Sequence, residues 1–291
     1  VDIKADIYDC RIREYRHIIV YMAARKVGAK FILGLASDLD ILSIAKRWKH
    51  FYSSNVRDLW GVFNGFTGEL VYPYMLRNAD GVFVQHIGQK ELLKTKNIDS
   101  IVIPNVIDTS SFTAGTDSDK KDFVYVGSLD KRKGFADFYR VVEGTSRQSF
   151  KVIGSPRDKT GNHYYEKLKS FENVRLTGRL SHEETLSQIS ASRALISTSP
   201  MEGFPNVFIE AWACGVPVLS LFVDPGNVID KEELGVNAHG NINLLIEAID
   251  MFGVNNGFSE RAKDYVKRNH ELNRERKEEI GRLFAHILEK Q

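Results

Sequence analysis

Residues 194 to 218, which read ALISTSPMEGFPNVFIEAWACGVPV, decide the fold. Four of the first five residues are apolar or β-branched, which predicts a short buried strand, and a Ser-Pro pair ends it. A loop that carries Glu202 follows. Pro205 suits the first position of a helix, and Gly215 is typical of the residue just beyond a helix end. We therefore predict a helix over Pro205 to Cys214.

The start of this helix is a candidate anion site. The first amides of a helix have no acceptor within it, and the helix dipole is positive at that end. The backbone at Gly203, Phe204 and Asn206 is therefore predicted to hold an anion. Glu210 lies about a turn and a half into the helix, where a carboxylate can accept hydrogen bonds from two hydroxyl groups. A phosphate beside a diol indicates a nucleotide sugar. The alternative is that Glu210 is only a solvent-facing carboxylate.

These residues resemble the signature of the GT-B glycosyltransferases, specifically the large retaining family 4. Members carry Glu, seven residues and a second Glu, usually continuing as E-A-x-A-x-G-x-P-V, and this chain has EAWACGVPV from Glu210 onward. The resemblance implies that Glu202 is a catalytic residue near the donor sugar and that Glu210 holds the ribose hydroxyls. It also implies contacts to sugar and diphosphate from Gly203, Phe204, Pro205 and Asn206.

A second motif, GSLDKRKG from Gly127 to Gly134, follows a predicted strand at Phe123 to Val126. It resembles the family's G-R-L-x-x-x-K-G, whose Arg and Lys contact the donor diphosphate. Lys133 matches and is expected to serve binding and catalysis, whereas Ser128 replaces the Arg. Losing a guanidinium weakens diphosphate binding unless another cation compensates. The candidates are Lys131, Arg132 and Arg179. The alternative is an ordinary solvent-exposed basic turn.

Two further predicted strands end at the same edge of the sheet. Phe150 to Ile153 runs into a glycine turn that contains Ser155, and by resemblance this turn lies beneath the nucleotide. The segment Val174 to Leu180 resembles the family's segment whose backbone recognises the base of the nucleotide. Arg179 and Leu180 are therefore expected to contact the nucleotide.

A capping box is predicted at Ser181 and Glu184, ahead of a helix that contains Leu186 and Ile189. His182 then lies in the first turn of that helix. We expect it to have no catalytic role.

Composition agrees with an α/β enzyme. The chain has 291 residues and 43% hydrophobic content, so it can bury one or two hydrophobic cores. Its net charge of +2 gives no indication of nucleic-acid binding. Its two cysteines are too few for a disulfide scaffold and are consistent with a reducing compartment. We expect no leader and no membrane-spanning segment, because the sequence contains no apolar run of about 18 residues. We predict a cytoplasmic protein.

The predicted architecture is α/β, a GT-B fold of two Rossmann-like domains facing across a cleft. Residues 1–110 form a partial N-terminal, acceptor-side domain, and residues 111–258 form the donor domain. Residues 259–291 form one long helix that packs back on the first domain. The polar segment Thr113 to Lys121 joins the domains. The sequence IPNVID ending at Asp108 resembles the family's I-P-N-G-V-D. The first domain is expected to be incomplete at its start.

The resemblance implies sugar transfer with retention and no metal or other cofactor, because the helix dipole and basic groups neutralise the leaving diphosphate. The donor is expected to be a UDP- or GDP-sugar. In the first domain, Ser37 or Asp38 lines the sugar site, or Asp38 only caps a helix. Asp38 and Asp40 also form the carboxylate pair typical of manganese binding in the other glycosyltransferase fold, a reading that nothing else supports.

The acceptor is predicted to be a saccharide or a lipid-linked saccharide. Cations and aromatics alternate from Lys46 to Tyr52, which suits peripheral contact with anionic lipid or, alternatively, a solvated helix with a core-facing stripe. The aromatic run Leu59 to Leu76 is expected to be core. Bacterial surface polysaccharide or glycolipid synthesis follows as the expected role. Two alternatives remain: a nucleotide-binding fragment without turnover, and a nucleotide-sugar 2-epimerase of the same fold.

Overall fold

The computed structural model describes residues 5–11, 13–14, 16–41, 71–109, 112, 122–253 and 257–289. The chain divides into two compact units. The first unit combines Val1–Asn105 with Asn273–Gln291, and the second unit is Val106–Leu272. Each unit contains one parallel β-sheet. The predictions at Thr113 to Lys121, Lys46 to Tyr52 and the first part of Leu59 to Leu76 lie outside the described residues.

The first unit contains a four-stranded sheet in the order β1-β2-β3-β4. Its strands are β1 (Ile7–Arg11), β2 (Lys30–Gly34), β3 (Gly81–Val84) and β4 (Ile101–Val102). Its helices are α1 (His17–Val27) and α2 (Ile87–Lys94), with residues 71–78 also helical. Within that helical segment Tyr72 and Met75 are buried, as expected of core.

Successive residues of β2 point to opposite faces of this sheet, as the pleat requires. Phe31 and Leu33 pack on one face with Val82 and Leu93, and Ile32 packs on the other face. The C-terminal helix of the chain, Arg274–Glu289, covers that second face through Ile287. Burial on both faces explains why β2 reads as a continuous apolar run.

The second unit contains a six-stranded sheet in the order β10-β9-β8-β5-β6-β7. The strands are β5 (Asp122–Val126), β6 (Ser149–Ile153), β7 (Val174–Gly178), β8 (Ala194–Ser197), β9 (Val218–Ser220) and β10 (Gly235–Asn237). The helices are α3 (Phe135–Gly144), α4 (Lys159–Leu168), α5 (His182–Ser190), α6 (Asn206–Ala213), α7 (Val228–Lys231), α8 (Ile242–Asp250) and α9 (Phe258–Asn269).

Strand β5 lies at the centre of this sheet and is buried on both faces. Val124 joins a cluster with Phe208 and Trp212 on one side, and Phe123 joins Phe138 on the other. From β5 the chain builds outward through β6 and β7, then returns to place β8 on the opposite side of β5. The strand order therefore reverses between β5 and β8, where open α/β sheets bind ligands.

The predicted strands are found with ends shifted by about two residues. The capping box of Ser181 and Glu184 is also confirmed: Glu184 N–H donates to Ser181 Oγ at 3.2 Å, and Ser181 N–H donates to Glu184 Oε2 at 2.8 Å. Both bonds satisfy amides that would otherwise be unpaired at the helix start.

The prediction of one long C-terminal helix is wrong. Helix α9 ends at Asn269, and a separate helix α10 (Arg274–Glu289) follows. Between them the backbone pairs with Ile107, whose N–H donates to the His270 carbonyl at 2.8 Å and whose carbonyl accepts from Leu272 N–H at 2.9 Å. These extended pairings are incompatible with a continuous helix. Helix α9 packs within the second unit, and α10 packs within the first.

Packing of α10 on β3 can be tested by a double-mutant cycle. A Cβ atom added at Gly81 would lie 2.8 Å from Ile287 Cδ1, an atom that Ile287→Val removes. We expect Gly81→Ala to destabilise the protein, Ile287→Val to cost about 0.5–1.5 kcal/mol, and the double variant to lose less than the sum. Urea unfolding measures each free energy.

The control is Gly281→Ala in the same helix, where an added Cβ meets no atom within 4 Å. Its effect on the unfolding free energy should add to that of Ile287→Val. Strict additivity for the Gly81 pair would contradict the packing.

Candidate functional site

The loops that leave β5 and β8 at the reversal point carry the predicted catalytic residues. The loop after β5 contains the basic turn from Gly127 to Gly134, and the loop after β8 contains Glu202. Because parallel strands end at the same edge of the sheet, both loops emerge side by side. The Nζ atom of Lys133 forms an ion pair with Glu202 Oε1. The structure thus brings together the two residues predicted to be catalytic.

A buried carboxylate, Asp130, organises the basic turn. It is 3% exposed and caps the short 3-10 helix Lys131–Lys133, with its Oδ1 accepting from Lys133 N–H at 2.9 Å. Its Oδ2 accepts from Ser128 Oγ at 2.9 Å and from Arg132 Nη2 at 3.2 Å. Burial alone would raise the pKa of Asp130, but these hydrogen bonds outweigh it and hold the pKa below its ordinary value. Sequence reasoning missed Asp130, although an Asp three residues before Lys133 is a capping signal.

The position of Ser128 bears on the missing arginine. Its hydroxyl donates to Asp130 rather than standing as a free diphosphate ligand. Arg132 also pairs with Asp130, while its side chain remains 72% exposed. Arg179 is exposed at the end of β7 and, among the residues that the structure describes, forms no ion pair. Compensation for the missing guanidinium by Lys131, Arg132 or Arg179 stays a prediction.

Two glycine turns are packed against each other beside this site. A Cβ atom at Gly154 would lie 1.9 Å from the Gly127 carbonyl oxygen, so only glycine fits. Leu129 N–H donates to the Ser155 carbonyl at 3.1 Å, and Arg157 N–H donates to the Leu129 carbonyl at 3.1 Å. These bonds hold the Ser155 turn against the basic turn. They also place an exposed arginine, Arg157, beside it, a residue that the sequence motifs did not single out.

Leu180 differs from its neighbour Arg179 in being half-buried. Its side chain packs against the core cluster that contains Phe208 and Trp212. The segment after β7 is therefore fixed in place by its apolar residue, while its arginine faces solvent.

Helix α6 begins one residue later than predicted. Pro205 has φ −64° and ψ 123°, so it precedes the first helical residue, Asn206. Its ψ is extended, which makes it the capping position rather than the first turn. The loop before it is anchored by Phe204, whose ring lies 4.7 Å from that of His270 and 6.2 Å from that of Trp212. Gly203 is also buried, and Asn206 is exposed.

Glu210 lies on α6 with a side chain that is 16% exposed. Within the described part of the chain, its carboxylate has one polar contact, at 3.8 Å from His182 Nδ1. Burial raises the pKa of Glu210, and the nearby His182 partly offsets the rise. A half-buried carboxylate with few protein partners keeps acceptor capacity for a ligand. His182, predicted to be uninvolved, is its nearest titratable neighbour.

In the first unit, Asp38 and Asp40 have separate structural partners. Asp40 Oδ2 accepts from the N–H groups of Ala36 and Ser37 at 3.0 and 3.1 Å. Asp38 Oδ1 accepts from Gln89 Nε2 at 2.9 Å and lies 3.2 Å from His86 Nε2. Backbone capping is therefore performed by Asp40 rather than Asp38. Over the described ranges, no cluster of three or more His, Cys, Asp or Glu residues is arranged to hold a metal ion.

None of the helices in the described part of the chain combines the length and the apolar character needed to cross a bilayer.

Curated relatives align with part of this chain, and two of them are glycosyltransferases by name. An uncharacterised glycosyltransferase of Haemophilus influenzae is 27% identical over 175 residues, covering 57% of this chain and 48% of the relative. The putative teichuronic acid biosynthesis glycosyltransferase TuaC of Bacillus subtilis is 24% identical over 173 residues, covering 51% of this chain and 43% of the relative. The chain thus spans about half the length of these relatives.

Among solved structures, a mutant of S. aureus TarM in complex with fondaparinux, alpha-GlcNAc-glycerol and UDP has a TM-score of 0.71 to this chain. The two are 15% identical, and the match covers 98% of this chain and 55% of TarM. This likeness confirms the predicted α/β fold with two Rossmann-like domains.

A family model provides the broadest evidence. The model described as "Glycosyl transferases group 1" matches residues 106–269, more than half of the chain. That range contains the basic turn, the Glu202 loop and helix α6. This protein therefore belongs to the group 1 glycosyl transferases.

Proposed function

We propose that this protein transfers a sugar from a nucleoside diphosphate sugar to a hydroxyl acceptor, with retention of configuration, as a hexosyltransferase of family 4. The observation that carries the proposal is the pairing of Lys133 with Glu202 where the strand order of the second sheet reverses. A cation and a carboxylate at that point suit a ligand with a charged diphosphate and a neutral, hydroxyl-rich sugar.

The diphosphate is assigned to Lys133 and the start of α6. Lys133 supplies a full positive charge, and the helix start supplies amides and a positive dipole end. The ribose is assigned to Glu210, whose carboxylate has acceptor capacity left over. Ser155, Arg179 and Leu180 are assigned to the nucleotide side because they follow β6 and β7.

Charge stabilisation is the main chemical contribution that we assign to these residues. As the bond to the anomeric carbon breaks, negative charge develops on the leaving diphosphate. Lys133, by exchanging its ion pair with Glu202 for one with the diphosphate, and the dipole of α6 are assigned to stabilise that charge. Glu202 is then freed to accept a hydrogen bond from a sugar hydroxyl. We propose that the reaction needs no cofactor.

The acceptor is proposed to be a saccharide or lipid-linked saccharide of bacterial surface polysaccharide or glycolipid synthesis, reached at the cytoplasmic face of the membrane. The name of the Bacillus subtilis relative, which refers to teichuronic acid, supports this class. A nucleotide-binding chain without turnover is the second candidate. All the residues assigned to the donor lie in the second unit, so nucleotide binding would need no residue of the first unit, and this favours the second candidate.

The diphosphate assignment of Lys133 predicts a selective loss. Lys133→Ala should weaken UDP or GDP binding by about tenfold or more, because a charge-assisted hydrogen bond is lost. Binding of uridine or guanosine should be unchanged, since the nucleoside carries no phosphate. Calorimetric titration of all four compounds measures both effects. Lys169→Ala, which removes an exposed cation paired with Glu166, is the control. Equal losses for nucleoside and diphosphate would remove Lys133 from this role.

The half-buried Glu210 carboxylate predicts opposite effects on affinity and stability. Glu210→Gln should weaken UDP binding and abolish the preference for UDP over 2′-deoxy-UDP, because the ribose diol loses its charged acceptor. It should also raise the thermal midpoint of the ligand-free protein near pH 7.

The sign of this stability effect follows from the raised pKa of Glu210. Folding penalises the ionised form, so the carboxylate costs stability above the folded-state pKa and nothing below the unfolded pKa of about 4.3. The advantage of Glu210→Gln should therefore shrink as the pH falls toward that value. Thermal unfolding from pH 4.5 to 8 measures it. An advantage that grows at low pH would refute the burial argument.

Turnover tests the catalytic assignment of Glu202. Glu202→Gln should lower sugar transfer by about a hundredfold or more while retaining nucleotide binding, and Glu166→Gln, an exposed carboxylate, should change neither. Transfer to saccharide acceptors is followed by NMR, which also reports whether an α-donor gives an α-product. Binding without transfer in the wild-type chain would favour the second candidate. Conversion of the sugar nucleotide without acceptor would indicate an epimerase.

A further inference from the structure

The main-chain groups of Lys133 are held by side chains at both ends. Its N–H donates to Asp130 Oδ1 at 2.9 Å. Its carbonyl accepts from the Tyr125 hydroxyl at 3.3 Å. The Thr198 hydroxyl donates its one proton mainly to the adjacent Gly134 carbonyl at 2.9 Å, and it lies 3.3 Å from the Lys133 carbonyl. The backbone that presents the Lys133 amine is thus fixed independently of the ion pair with Glu202.

The two hydroxyls come from the strands on either side of the reversal point. Tyr125 belongs to β5, and Thr198 follows directly after β8. Thr198 is fully buried and Tyr125 is 3% exposed, so neither bond can be replaced by water without opening the core. Burial, with smaller contributions from Asp130 and Glu202, also raises the pKa of Tyr125, which keeps its hydroxyl a donor.

Thr198 lies on the segment that leads to the other half of the ion pair. The chain passes from Thr198 through three residues to Glu202. At the same time the Thr198 carbonyl would lie 1.9 Å from a Cβ atom at Gly134, so the two backbones touch. One residue therefore anchors the basic turn with its side chain and begins the Glu202 loop with its main chain.

We propose that Thr198 is a positioning residue whose hydroxyl sets the Lys133 amine relative to Glu202 and the donor diphosphate. The inference rests on the proposed donor function and extends it to a residue that does not touch the substrate. Because the hydroxyl acts through the basic turn, its loss should affect recognition of the diphosphate and leave recognition of the nucleoside intact. A residue needed only for stability would not separate these two affinities.

The test compares Thr198→Val, which keeps the shape and removes the hydroxyl, with Thr198→Ser, which keeps the hydroxyl. Thr198→Val should weaken binding of UDP or GDP by about tenfold with nucleoside affinity unchanged, and Thr198→Ser should restore diphosphate binding. In turnover assays the KM for the donor should rise more than kcat falls. Calorimetry and donor-dependent kinetics provide these readouts.

The matched control is Thr145→Val. Thr145 is 1% exposed and its hydroxyl donates to the Val141 carbonyl at 2.7 Å, at the end of α3 and outside the site. This variant should lose stability and keep wild-type diphosphate affinity. If Thr198→Val cannot be purified, Tyr125→Phe removes the second hydroxyl and should show the same selective loss.

The outcomes separate this inference from the proposed function. Wild-type diphosphate binding by Thr198→Val, equal losses of diphosphate and nucleoside, or failure of Thr198→Ser to restore binding would overturn the positioning role alone. If the wild-type chain binds neither UDP nor GDP, the proposed function falls and this inference falls with it.

Discussion

The approach of two backbones between β5 and β8 is the constraint on which the candidate site depends. Gly134 lies against the Thr198 carbonyl so closely that any Cβ atom would overlap it. Gly134 also has φ 65°, a conformation that glycine adopts without strain. Because the Thr198 hydroxyl donates to the Gly134 carbonyl across this contact, the turn is held beside β8 with Lys133 opposite Glu202. A glycine that looks like part of a ligand motif is therefore equally a packing requirement.

Buried carboxylates serve this site in two opposite ways. Asp130 is nearly inaccessible, yet three donors surround it and its pKa falls, so its charge is stabilised by the turn that it organises. Glu210 is also shielded but has few donors, and its pKa rises. The first carboxylate is satisfied by the fold itself. The second has unused acceptor capacity, which is what a binding group requires and what a purely structural group avoids.

The sequence predicted several strands and one helix start well because these depend on local patterns. Short apolar runs ended by glycine or Ser-Pro marked β5, β6 and β8, and Ser181 with Glu184 marked the start of α5. Strands β9 and β10, each three residues long, are too short to show a period. The break between α9 and α10 was also missed. It depends on pairing with Ile107, a residue more than 150 positions away in sequence, and helical periodicity does not register such a contact.

Ser128 stands where the resembled motif has an arginine, and the structure shows which group its hydroxyl contacts. The sequence alone indicates that the motif lacks one positive charge at position 128. In the structure the serine hydroxyl joins Arg132 and the Lys133 amide around Asp130. Two of the three donors to the Asp130 carboxylate are therefore side chains of the basic turn, those of Ser128 and Arg132. Under the proposed function, binding of the diphosphate relies on Lys133, on the start of α6 and on exposed arginines after β6 and β7. Ser128 therefore contributes to the internal hydrogen bonding of the basic turn.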